Sequence, residues 1–133
     1  MKIYKIDDPI YTIPLFICVG KLEEFKKFLL KKYNVESSLG KGAGYFLNLE
    51  HDSGINHNVI WLPCYIKNNI YDNLALIHEC LHAAMSTMGI TNVPVTPENN
   101  EAIAYLQGFY YSQFLNKLNK KRFKNETSIS RMD

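Results

Sequence analysis

Apolar and polar positions alternate along this chain with two periods, and the change of period marks out its elements. The run "YTIPLFICVG" (11–20) is almost continuously apolar and rich in strand-forming residues, which predicts a buried strand near 11–18 that ends at Gly20. In "KLEEFKKFLLKKY" (21–33), Leu22, Phe25, Leu29 and Tyr33 recur at helical spacing and lysines and glutamates fill the other positions. That is an amphipathic helix with a solvated charged face. "SSLGKGAG" (37–44) holds three glycines and reads as a connector. It lacks the glycine spacing and the following Ser or Thr of a phosphate-binding loop. "GYFLNLE" (44–50) and "NVIWLPCYI" (58–66) predict two strands joined as a hairpin through the turn residues "HDSGIN". Pro63 lies in the second run and has no N–H for a ladder, so that strand is expected at a sheet edge or broken near Pro63.

Two helices follow. The first is expected from Tyr71 or Asp72, capped by Asp72 or Asn73, to Gly89. A loop with two prolines (90–100) leads to Thr96 as N-cap and Pro97 as first helical residue, and the second helix is expected from 97 to about 119. The rest, "NKKRFKNETSISRMD", has few apolar residues and is expected to fray. The sequence therefore divides into one domain, 1–119, and a basic, flexible tail, 120–133.

Composition narrows the class. A chain of 133 residues, 47% hydrophobic and 21% charged, fits one domain with a core of its own. A net charge of +2 is too small to argue for a nucleic-acid or membrane surface. The three cysteines, Cys18, Cys64 and Cys80, are odd in number and form no CxxC pair, which points to reduced thiols and a cytoplasmic protein. Asp7 and Asp8 make the N-terminus a poor signal peptide, and no segment has the length of a membrane span.

The chemistry lies in "IHECLHAAMSTMG" (77–89), where His78, Glu79 and His82 interrupt an apolar helix. Residues four apart share a helix face, so both imidazoles can reach one metal ion from a rigid element. Glu79 is rotated about 100° from His78 and suits a general base acting on water better than a third ligand. Two imidazoles and a carboxylate on a core-bound helix are costly unless something pairs them. A catalytic zinc site has three protein ligands, so one more belongs on another element, and "TPENNEAIAYLQG" (96–108) supplies Glu98 and Glu101.

With "HECLH" at 78–82 and "NE" at 100–101, the chain resembles the gluzincin branch of the zincin metallopeptidases. There, HExxH is followed on a later helix by a glutamate ligand, often after Asn. The gap of eighteen residues between His82 and Glu101, and the "EAIAY" that follows, also resemble this branch and small bacterial and phage zincin-like proteins. The resemblance implies Zn2+ held by His78, His82 and Glu101, with Glu79 as general base. It implies a peptidase acting on a peptide or protein, and an α+β fold with a small mixed sheet packed on the HExxH helix and the ligand helix. It also implies an edge strand above the active helix that pairs with extended substrate, a role that falls to residues 58–64. Glu98, just after Pro97, suits the helix dipole instead.

Tyr105, one turn after Glu101, suits either donation to a ligand or a developing oxyanion, or plain aromatic packing. Cys80 reads as a small buried residue, and His51 and His57 as turn histidines. Lys117, Lys120, Lys121, Arg122 and Lys124 form a basic end that reads as a solvated helix terminus. Two alternatives to a peptidase remain: a zinc-holding interaction module of low or no activity, and a nucleic-acid accessory protein using the basic tail.

Overall fold

The computed structural model describes the backbone of residues 1–132 and the side chains of residues 1–120. The elements are β1 (Lys2–Ile6), β2 (Leu15–Val19), α1 (Leu22–Tyr33), β3 (Tyr45–Glu50), β4 (Asn56–Leu62), α2 (Ile70–Ile90) and α3 (Glu101–Met132). The strands form one mixed sheet in the order β1-β2-β4-β3. The β1–β2 and β3–β4 pairs are antiparallel, and β2–β4 is parallel. The class is α+β, as the pattern predicts.

The period of two divides the sheet between two cores. Phe16, Cys18, Val59 and Trp61 face α1 and meet Phe25, Leu29 and Tyr33. Leu15, Ile17, Ile60 and Leu62 face the other way and pack on Leu76, Cys80 and Ala84 of α2 and on Leu106, Tyr110 and Phe114 of α3. The result is three layers, with α1 on one face and the α2–α3 pair on the other. Among the described residues no helix is long and apolar enough to cross a membrane.

Several boundaries depart from the pattern. β1 is a fourth strand that the sequence reading does not contain. It buries only Tyr4 and Ile6, with Lys5 between them and Lys2 before them, so its apolar signal is small. β2 begins at Leu15 because Thr12 takes a left-handed φ of 60° and Pro14 follows it. α2 begins at Ile70, with Asn69 as the cap, its side chain accepting from the backbone of Tyr71 and Asp72. Asp72 instead accepts from Ile66 N at 2.8 Å. α2 also passes Gly89 and ends at Ile90. Thr96 and Pro97 form a turn closed by Asn99 N donating to Thr96 O at 3.0 Å, so α3 begins four residues late, at Glu101. It continues to Met132, and the side chains of Lys121, Arg122 and Lys124 lie outside the described residues, as does residue 133.

The edge assignment is the correction that bears on function. Residues 58–62 belong to β4, which lies between β2 and β3, so β4 is not an edge. Pro63 falls just past the last ladder position, Leu62, whose carbonyl accepts from Gly20 N at 3.1 Å. The proline therefore displaces no ladder donor. β3 is the edge on this side of the sheet.

At the turn end of the hairpin, His57 is buried, and its Nδ1 lies 3.0 Å from Tyr33 Oη. The ring of His51 stacks on it at 5.0 Å between centroids. Burial first, then the nearby His51, Lys32 and Lys5, hold His57 below the usual imidazole pKa. The unfolded chain then binds the proton first. Stability is complete above the unfolded value of about 6.5 and is lost as pH falls from there through the folded pKa. Denaturant midpoints measured from pH 7.5 to 5 are expected to fall for the native chain and to fall less for His57→Gln. Equal slopes would remove His57 as the cause.

Candidate active site on the α2 face

α2 buries Leu76, Cys80, Ala83, Ala84, Thr87 and Met88, which leaves His78 and His82 on its exposed face. Their Nε2 atoms are 3.1 Å apart and their rings meet edge to face at 4.8 Å. Two nitrogens at about 2.0–2.1 Å from one tetrahedral zinc ion lie roughly 3.3 Å apart, so the pair has the spacing of two ligands. Without a metal, one imidazole donates to the other across the same distance. The ring of Phe46, on β3, stacks on His82 at 6.0 Å and 16°.

Glu79 lies at the border between the exposed and buried faces and is 7% exposed. Gly44, just before β3, lies beside it. A Cβ at Gly44 would lie 3.5 Å from Glu79 Cγ and only 3.2 Å from Trp61 O and Leu62 Cδ2. Oε2 of Glu79 is buried and has no hydrogen-bond partner among the described residues. Burial raises the carboxyl pKa, and the neighbouring His78 and His82 oppose the rise. Gly44, Tyr45, Phe46, Glu79 and His82 line a cleft of about 220 Å³. One wall is thus the start of the edge strand β3 and the other is α2. Tyr45 Oη donates to Gly40 O at 2.6 Å and ties the glycine-rich connector to the strand.

α3 runs antiparallel to α2. Tyr111 Oη donates to Asn73 Oδ1 at 3.1 Å, and Gln107 Nε2 donates to Ile77 O at 3.1 Å. Glu101 is exposed, and among the described residues no three His, Cys, Asp or Glu side chains gather as a metal group. Tyr105 is 46% exposed and stacks on Phe109 at 5.7 Å. Glu98 lies in the turn before the helix. The structure therefore brings His78, Glu79 and His82 together and leaves Glu101 and Tyr105 on the neighbouring helix.

Cys80 is buried, and burial pushes its thiol up to about 12, which leaves it protonated and inert. The hairpin histidines, His51 and His57, lie at the opposite end of β3 from the cleft. Gly44 and Phe46 have no part in the sequence reading of the site. A glycine directly before a strand hints at a close approach, but its neighbour Glu79 is visible only in the fold. Compared with family models, with curated proteins and with solved structures, the chain finds no match.

Proposed function

We propose that the chain is a zinc-dependent peptidase in which His78, His82 and Glu101 hold the metal and Glu79 is the general base. The observation that carries this reading is the pair of Nε2 atoms 3.1 Å apart, beside a buried Glu79 oxygen that has no partner among the described residues. The imidazoles lie on the exposed face and cost little there, but the buried, unpartnered carboxylate oxygen is expensive in a purely structural helix and useful in a hydrolase. A bound zinc ion would supply a Lewis acid for the scissile carbonyl and acidity to water.

The protein's own groups do the rest. Glu79 accepts the proton of the attacking water and returns it to the leaving amine. Its raised pKa makes it a better proton acceptor than a solvated carboxylate. Phe46 orients the imidazole of His82. The free edge of β3 offers main-chain donors and acceptors beside the cleft, so β3 takes the peptide-pairing role given above to residues 58–64.

The second reading is a zinc-holding interaction module. It is favoured by a row of exposed apolar side chains on α2, Ile70, Leu74, Ile77, Leu81 and Met85, that flanks the histidines. A peptide-library cleavage assay separates the two. The zinc-loaded chain is expected to cut a subset of peptides, to stop with chelator and to recover with added zinc. No cleavage by a folded, zinc-loaded chain would leave the module as the better account.

A further inference from the structure

β3, α2 and α3 carry the cleft wall and every side chain assigned to the site, and one polar network, buried at its centre and exposed at Asn48, touches all three. At its centre is Asn58, on β4, with no exposed surface. Its Nδ2 donates to Thr87 Oγ1 at 3.0 Å and to Ala83 O at 3.3 Å, both on α2. Its Oδ1 accepts from Ser86 Oγ at 2.9 Å and from Asn48 Nδ2, on β3, at 3.0 Å. Thr87 Oγ1 also shares a hydrogen bond of 3.1 Å with the hydroxyl of Tyr110 on α3. Both donors and both lone pairs of the Asn58 amide are thereby used.

An apolar side chain of the same size would fill this space but would leave Thr87, Ser86 and Asn48 without this partner, and a buried polar group left unpaired lowers stability. What the amide adds is direction. Its bonds close only when one particular turn of α2 lies over Asn58, and that turn begins at Ala83, next to His82. Glu79, one turn earlier on α2, lies beside Gly44 with no hydrogen bond to its Oε2 among the described residues.

We infer that Asn58 is a positioning residue: with Thr87, Ser86, Asn48 and Tyr110 it holds the histidine pair in register with β3 and α3. The inference rests on the zinc reading above. It means that metal affinity depends on a side chain that touches no ligand, as partners of the ligand shell do elsewhere.

The test uses the full chain, stripped of metal, as native protein, Asn58→Leu, Thr87→Val and Thr87→Ser. Zinc affinity is measured by competition with a chromophoric chelator, beside the melting temperature of the metal-free chain and its backbone hydrogen exchange. Asn58→Leu and Thr87→Val are expected to stay folded, with melting temperatures lowered by the partners left unpaired, and to bind zinc about 10-fold or more weakly at a temperature where both are fully folded. Thr87→Ser, which keeps the hydroxyl, is expected to retain native affinity. Native affinity in both Asn58→Leu and Thr87→Val overturns the inference. If Asn58→Leu does not fold, the near-isosteric Thr87→Val decides. If the native chain takes up no zinc, the metal reading fails, and exchange decides the network. Faster exchange at Phe46 and at 83–87 than in β2 supports it in Thr87→Val, and an unchanged pattern overturns it.

Discussion

Glu79→Gln is expected to keep its zinc and its fold and to lose at least about 10²-fold in cleavage rate, the scale of a positioned acid–base group. Glutamine has the same shape as glutamate, so the close packing of Glu79 against Gly44 survives the change. It also removes a carboxylate whose burial opposes ionisation, so the melting temperature should stay near or above the native value. Only the proton acceptor is gone. Glu79→Asp is expected to be impaired as well, because the shorter side chain withdraws the carboxylate from the cleft. Peptides that the library assay shows to be cut supply the substrate. Cleavage by Glu79→Gln at the native rate and equal zinc content would contradict the assignment of Glu79 as base.

His78→Ala and His82→Ala are expected to weaken zinc binding by at least about 10²-fold each, and so to abolish cleavage at micromolar zinc. Both imidazoles are exposed, so neither change opens a cavity in the core. His78→Ala should therefore unfold within about 0.5 kcal/mol of the native chain. His82→Ala also removes the stacking partner of Phe46, an interaction worth about 0.5–1.5 kcal/mol. Chelator competition and denaturant unfolding, run on the same samples, separate the two effects. Native zinc affinity in both variants would contradict the proposed centre.

The parts of the site that lie on one helix were legible in the sequence. A spacing of four puts His78 and His82 on one face of any helix, and the neighbouring apolar residues require that helix. The α1 face was legible for the same reason: Phe25, Leu29 and Tyr33, three of its four apolar positions, are buried. What the chain brings together from distant elements was not. Gly44, Phe46 and Asn58 reach α2 only because β3 and β4 pack beneath it, and no local period encodes that. Of the two outcomes Pro63 allowed, the strand breaks there, at Leu62, and does not lie at the edge, because a proline one residue beyond a strand has the same sequence signature as one within it. Thr96 and Pro97 suit a β-turn as well as a helix start, so α3 begins at Glu101 and the carboxylate sits in its first turn.

The central claim is that this chain holds zinc through His78, His82 and Glu101, and its most direct test is elemental analysis after zinc loading and desalting. The native chain is expected to carry about one zinc, and Glu101→Ala markedly less. Full retention in Glu101→Ala would move the third ligand elsewhere, with Glu98 tested next. A folded native chain that carries no zinc would contradict the account.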